Sequence, residues 1–172
     1  MTKPTPIPLS LAQETLWFID QLTPGRSTYN APMAYQLRGP LDVAGLRHSL
    51  SAVVARHAVL RTRYPQLNGA GVQVVDPPAE VHLPVVDLAQ LPADRRWSEV
   101  RRHVAALTRP AFDLARGPMV RALLMVLGEQ DHLLQLTLHH ISIDGPSTAI
   151  FIRELVTATR RGARAKMTRF PR

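Results

Sequence analysis

The amino-acid sequence predicts an α/β (α+β) fold in which amphipathic helices and apolar strands share one core, and three observations carry that prediction. Leu46, Leu50, Val53 and Val54 recur at three- and four-residue spacing behind Asp42, as in an amphipathic helix with its N-cap. Val120–Leu127 and His132–His140 are apolar runs joined by the polar segment Gly128-Glu129-Gln130-Asp131, which is the pattern of a β-hairpin. The chain has 172 residues, 45% hydrophobic and 20% charged, which makes it one globular domain at most, or part of one. A chain of this size buries roughly two thirds of its unfolded surface, so a packed core is expected and intrinsic disorder is not.

Each element follows in order. Pro6-Ile7-Pro8-Leu9 is held extended by its prolines, and Ser10 with Gln13 three residues on forms a capping-box pattern. The helix it opens reaches about Leu22 and is broken by Thr23-Pro24-Gly25. Met33, Tyr35 and Leu37 alternate as a half-buried strand that Gly39-Pro40 ends. The helix behind Asp42 runs into Val59–Tyr64, which reads as a strand, followed by a Gly-rich turn and a short strand at Val72–Val75. Pro77 to Pro92 is loop, with one edge strand at Val85-Val86. Trp97, Val100, Val104 and Leu107 share a helical face, and Trp97, like Trp17, is expected in the core. In the second strand of the hairpin Leu134, Leu136, Leu138 and His140 have one parity and Gln135, Thr137 and His139 the other. If the period holds to the end, His140 projects on the apolar face and His139 does not. Gly145-Pro146 opens the last helix, with Pro at its first position and Ile150, Phe151 and Leu155 as its buried stripe.

The formal charge of +8 invites a nucleic-acid reading, and its distribution argues against one. Arg160, Arg161, Arg164, Lys166, Arg169 and Arg172 all lie beyond the last acidic residue, Glu154, leaving 15 basic against 13 acidic groups elsewhere. A nearly neutral body has no basic groove, and at 5% aromatics are too scarce for base-stacking platforms. Without cysteine there is no disulfide framework, thiolate metal site or Cys nucleophile. With no signal h-region or apolar span of about 18 residues, a cytoplasmic protein with no membrane association is expected.

The residues that suggest chemistry are Leu138-His139-His140-Ile141-Ser142-Ile143-Asp144-Gly145, where a strand end feeds a helix start. His140 emerges where desolvation favours the neutral imidazole, able to accept or direct a proton near neutral pH. Asp144 would orient it or brace the loop, Gly145 would let backbone approach a ligand, and the helix N-terminus behind it would face an oxyanion. Adjacent histidines on a strand point to opposite faces, which speaks against a shared metal ion. His48, His57, His82, His103 and His132 read as structural.

Three segments also match a family in order and spacing. His139-His140-Ile141-Ser142-Ile143-Asp144-Gly145, an HHxxxDG pattern, together with Ser10-Leu11-Ala12-Gln13-Glu14-Thr15-Leu16-Trp17 and Arg56-His57-Ala58-Val59-Leu60-Arg61-Thr62-Arg63-Tyr64, resembles the first three core motifs of nonribosomal peptide synthetase condensation domains. Tyr29-Asn30-Ala31-Pro32, Leu37–Asp42 and Phe112–Pro118 look like that family's connecting segments, so the resemblance covers Pro6 to about Leu155. Thr15 stands where the family usually has Arg, and Ala58 where it usually has Glu.

The resemblance implies a chloramphenicol-acetyltransferase-like lobe, a two-layer sandwich with a mixed sheet and helices packed on it, one of two lobes that form a V around a tunnel faced by HHxxxDG. It implies amide-bond formation between a donor acyl or peptidyl thioester and an acceptor aminoacyl amine, each on the phosphopantetheine arm of a carrier protein, with no cofactor bound directly. His140 would be the central catalytic residue, with His139, Asp144 and Gly145 beside it and Arg61 bridged to Asp144; loss of one partner of such a buried pair would cost roughly 3–5 kcal/mol. It further implies partners in a missing second lobe or downstream synthetase modules, since a whole condensation domain is more than twice this length. Residues 1–156 would be the N-terminal lobe, expected to be inactive alone. Residues 157–172 would be a basic, disordered or out-of-frame tail of a truncated or frame-shifted product, and Met1 just before the first motif suggests a synthetase subunit that receives its donor in trans. The other readings are a free-standing acyltransferase using coenzyme A or a carrier, a noncatalytic carrier-protein-binding fragment, and a nucleic-acid binder acting through the tail.

Overall fold

A computed structural model describes residues 7–162 and 166–170. The strands are β1 Ile7–Pro8, β2 Asn30–Arg38, β3 Thr62–Arg63, β4 Gln66–Leu67, β5 Ala70–Val75, β6 Val85–Asp87, β7 Val120–Gly128, β8 Asp131–His139 and β9 Lys166–Arg169. The α-helices are α1 Leu11–Leu22, α2 Val43–Arg56, α3 Ala93–Thr108 and α4 Gly145–Gly162.

The capping box forms at α1: the Ser10 hydroxyl accepts from the Gln13 amide at 3.3 Å and the Gln13 side chain accepts from the Ser10 amide at 3.0 Å. Asp42 starts α2 through its carbonyl, which accepts from Leu46 N at 2.9 Å, and its carboxylate makes no cap bond. Val59–Tyr64 is not the expected strand. Ala58–Arg61 is a turn of 3₁₀-helix followed by the two-residue β3. The tighter winding turns Val59 to solvent while sending Leu60 into the main core and Tyr64 into a second cluster, which no single strand face would do.

Five strands form the main mixed sheet in the order β6-β7-β8-β2-β9, with β6 and β7 parallel and the other neighbours antiparallel. On one face Tyr35, Leu37, Leu124, Leu134, Leu136 and Leu138 pack under α2 and α4 with Leu46, Leu50, Phe151 and Leu155. On the other, Leu123, Met125 and Leu133 pack against Val100 of α3. The α/β sandwich is thus built on a β8 buried on both sides, including Gln135, Thr137 and His139. A smaller sheet runs β1-β5-β3, with β4 also on β5.

Three placements differ from expectation. Trp97 is 37% and Ile150 42% exposed, so both sit at the margin of their helical stripes rather than in the core. Glu129 and Gln130 alone connect β7 and β8, since both strands extend into the polar segment. Beyond Val156, where a structureless tail was expected, α4 runs on to Gly162 and Lys166–Arg169 pairs with β2 from Arg38↔Lys166 to Tyr35↔Arg169. The open edge of β2 offers main-chain groups that any side-chain sequence can satisfy, and Met167 adds to the main core. Arg160, Arg161, Arg164 and Arg172 of that tail have side chains outside the described residues.

Candidate active site

The loop after β8 is set by its two isoleucines. Ile141 is buried with Trp17, Tyr64 and Phe112, and Ile143 is buried in the main core. Between them the chain turns back, with Ser142 donating from both its amide and its hydroxyl to the His139 carbonyl at 3.0 Å. Pinning these two apolar side chains in different clusters forces the two histidines apart. His139 ends the strand and is 4% exposed, whereas His140 lies in the turn and is exposed. The expectation that His140 lies on the apolar face and His139 does not is reversed, because the strand period stops at His139.

His140 is held by its backbone and by one ring nitrogen. Its amide donates to the Tyr29 carbonyl at 2.9 Å, and Nδ1 lies 3.1 Å from the Ile143 carbonyl oxygen. A carbonyl only accepts, so Nδ1 carries the proton and the neutral ring keeps a lone pair on Nε2. No described residue hydrogen-bonds that Nε2. The ring is exposed, oriented, and has an unengaged basic nitrogen.

His139 is arranged the opposite way. Its Nδ1 accepts from the Ile141 amide at 3.1 Å, and its ring meets Tyr29 and Phe112 edge-on at centroid distances of 6.3 and 5.8 Å. Burial chiefly, then the neighbouring His140 and Arg121, push its pKa down to about 4, so it is neutral at pH 7. Arg121 lies over the Phe112 ring at 3.8 Å and donates to the carbonyls of Pro110 and Ala111 at 2.6 and 2.7 Å. Asn30 donates to the carbonyls of Thr108 and Pro110 at 2.6 and 3.0 Å, tying the start of β2 to the end of α3.

Asp144 does not pair with Arg61. Its carboxylate accepts from the Ser147 amide at 2.9 Å and from the Ser147 hydroxyl, and its carbonyl accepts from Thr148 N at 2.9 Å. Asp144 is therefore the N-cap of α4, and Pro146 occupies the second helical position rather than the first. The Ser147 hydroxyl above all holds the exposed Asp144 carboxyl below the usual carboxylate range. Arg61 is spent on carbonyls, donating from Nε to Ala55 O at 3.3 Å and from Nη1 to Asp76 O. The 3₁₀ turn that carries Arg61 aims it there and away from the loop. At Gly145 an added Cβ would meet nothing within 4 Å, so no packing among the described residues requires a glycine, and its backbone faces open space.

Expected results for Asp144→Ala follow from the cap. Hydrogen exchange at the first amides of α4 speeds up and the melting temperature falls, while Asp144→Asn restores most of both. Unchanged exchange in Asp144→Ala would contradict the capping role.

The three sequence motifs meet through Tyr64. Trp17 Nε1 donates to the Tyr64 carbonyl at 3.0 Å, the Tyr64 hydroxyl donates to the Ile141 carbonyl at 3.4 Å, and Gln13 reaches that hydroxyl at 3.5 Å. Burial pushes the Tyr64 hydroxyl up to about 12, so it stays a donor. Sequence reasoning placed Tyr29, Phe112, Arg121 and Tyr64 in no functional role, since no periodicity links residues so far apart. Their only signal was that several lie in segments shared with a family. His57 contacts Glu154 at 2.8 Å and His132 is buried. Among the described residues no three His, Cys, Asp or Glu side chains converge on a metal-sized site, and no helix is long and apolar enough to cross a membrane.

Comparison with known proteins finds relatives over most of the chain. A family model described as Condensation domain matches residues 3–171. Chondramide synthase cmdD of Chondromyces crocatus is 39% identical over 148 residues, covering 86% of this chain and 4% of that protein. Phosphinothricin tripeptide synthetase PhsC of Streptomyces viridochromogenes is 39% identical over 150 residues, covering 87% of this chain and 14% of that protein. Among solved structures, the first condensation domain of the CDA synthetase superposes with a TM-score of 0.82 at 27% identity, covering 92% of this chain and 42% of that one. The starter condensation domain of rhizomide synthetase RzmA gives a TM-score of 0.82 at 23% identity, a likeness of fold, over 90% of this chain and 37% of that one. The chain spans a small fraction of these synthetases and about two fifths of the solved domains.

Proposed function

The chain belongs to the condensation-domain family and has its chloramphenicol-acetyltransferase-like fold, and on that premise we propose that it serves amide-bond formation in nonribosomal peptide synthesis. The observation that carries this reading is the exposed His140 ring, whose Nδ1–H is engaged by the Ile143 carbonyl so that Nε2 is left basic. In the reaction the amine of a carrier-bound aminoacyl group attacks the carbonyl carbon of a carrier-bound acyl or peptidyl thioester. A C–N bond forms, the tetrahedral intermediate expels the thiolate as the C–S bond breaks, and the proton lost by nitrogen ends on sulfur. His140 Nε2 accepts a hydrogen bond from the attacking amine, orients its lone pair, and takes the proton as nitrogen becomes positive.

His139 and Asp144 shape this loop rather than react. His139 is buried and neutral, and Asp144 caps α4, whose N-terminal amides lie beside Gly145 where the open backbone admits a substrate. The described residues, the end of α4 and β9 included, would form the N-terminal lobe, with a second lobe closing the substrate tunnel. Donor and acceptor carrier proteins would supply the phosphopantetheine arms as substrates, in the cytoplasm.

The test is reconstitution. The chain is mixed with a second-lobe polypeptide and two loaded carrier proteins, and the acceptor carrier is analysed by mass spectrometry. Amide product on the acceptor, absent when the chain is omitted, is the expected result. Turnover of an acyl-coenzyme A with no carrier protein, and none with carriers, would overturn it in favour of a coenzyme A acyltransferase.

A further inference from the structure

The segment that leaves α3 for β7 is held by side chains. Pro110, Ala111 and Phe112 belong to no helix or strand, and among the described residues they make no hydrogen bond from main chain to main chain. Their polar fixings come from the two strands that flank β8. Asn30 of β2 donates to the carbonyls of Thr108 and Pro110, and Arg121 of β7 donates to those of Pro110 and Ala111 at 2.6 and 2.7 Å. The Pro110 carbonyl is shared, so the segment is a strap drawn down from both sides.

A guanidinium is a demanding choice for this task. Arg121 is half-buried, no described carboxylate lies within ion-pair distance of it, and burial lowers its pKa from the usual range. A neutral amide would bind a carbonyl with a smaller loss of hydration. What an amide lacks is a planar fork for two successive carbonyls and a flat cationic face for a ring. Both are in use here, since the guanidinium carbon also lies 3.8 Å from the centroid of Phe112. One side chain thereby fixes two peptide planes and the orientation of a ring.

That ring is what the strap delivers to the loop. Phe112 is buried and meets His139 edge-on at 5.8 Å, on the imidazole whose Nδ1 accepts from the Ile141 amide at 3.1 Å. On the other side the His140 amide donates to the carbonyl of Tyr29, the neighbour of Asn30. The two peptide groups that flank His140 are thus held by residues adjoining the strap. We propose that Arg121 is a positioning residue for His140: it clamps the strap, the strap seats Phe112 on His139, and His139 holds the Ile141 amide. The effect on rate rests on the reading of His140 as the group that meets the amine, whereas the effect on the loop does not.

The test compares the full chain with Arg121→Gln, Arg121→Lys and Phe112→Leu, and with Arg116→Gln, which replaces an exposed arginine nearby, as the control. Amide hydrogen exchange is followed at Ile141 and, away from the loop, at Leu46 and Leu124. Values of kcat and KM are measured in the reconstituted two-lobe system. In Arg121→Gln exchange at Ile141 rises about tenfold and kcat falls about tenfold, while exchange at Leu46 and Leu124 and KM for both carriers stay as they were. Arg121→Lys, which keeps the charge without the fork or the flat face, falls with it. Phe112→Leu has the same effect, and adding Arg121→Gln to it changes little more, as expected of two links in one chain.

The proposal is overturned if exchange at Ile141 is unchanged in Arg121→Gln, or rises equally at Leu46 and Leu124, the mark of a general loss of stability. It is equally overturned if Arg121→Lys restores the parent values, or if exchange rises and kcat does not fall while His140→Ala is inactive. Should Arg121→Gln fail to fold, Phe112→Leu decides, and parental exchange at Ile141 in that chain sinks the idea. If His140→Ala keeps full activity, the proposed role of His140 falls, and faster exchange at Ile141 in Arg121→Gln still supports the clamp.

Discussion

His140→Ala lowers the rate of amide formation in the reconstituted two-lobe system by about 10²–10⁴-fold, the usual contribution of a positioned acid–base group. The fold survives the change, because the ring is exposed and its one side-chain hydrogen bond is to a local carbonyl. Single-turnover rates with both carriers loaded, read beside a melting curve, separate the two effects. His140→Gln, which can donate to Ile143 O but has no basic nitrogen, falls with His140→Ala if proton acceptance matters and recovers if orientation alone does. Full activity in His140→Ala would refute the assignment.

Acidification destabilises the chain through His139, and the sign follows from burial. The pKa falls from 6.5 to about 4 in the folded protein. Above pH 6.5 the ring is neutral in both states and contributes nothing to the pH dependence. Between pH 6.5 and 4 the unfolded chain takes up a proton that the folded chain refuses, so stability drops as pH falls. Below 4 both states are protonated and the curve flattens. The loss is on the order of 2–3 kcal/mol by pH 4. Urea midpoints at closely spaced pH values measure it, with His139→Phe as the reference chain that lacks the titrating group. Equal losses in both chains over this window would show that His139 is not responsible.

Much of the fold was legible because it rests on local chemistry. Ser10 and Gln13 specify a helix start by a reciprocal hydrogen bond three residues long, and α1 begins there. The α2 stripe and the β7–β8 hairpin are periodic patterns, and periodicity survives in the folded chain wherever one face is buried. Val59–Tyr64 was misread because Val59, Thr62 and Tyr64 give the segment the look of a strand, whereas Leu60 and Tyr64 had to enter two different clusters. β8 is buried on both faces, so its parity carried less information than an alternating strand does.

The site divides the same way. Its membership can be read from the residues in order: two histidines at a strand end, an acid and a glycine at a helix start, and the two further motifs that accompany them. The placement of each residue came from packing in three dimensions. Ile141 and Ile143 are drawn into separate cores, and that pull puts His139 inside as a neutral ring and His140 outside with a free Nε2. Asp144 finds its partner three residues on at Ser147 rather than across the fold at Arg61, because a 3₁₀ turn aims that guanidinium elsewhere. Composition and spacing record which groups are available, and burial from several directions at once selects which nitrogen is left unengaged at the surface.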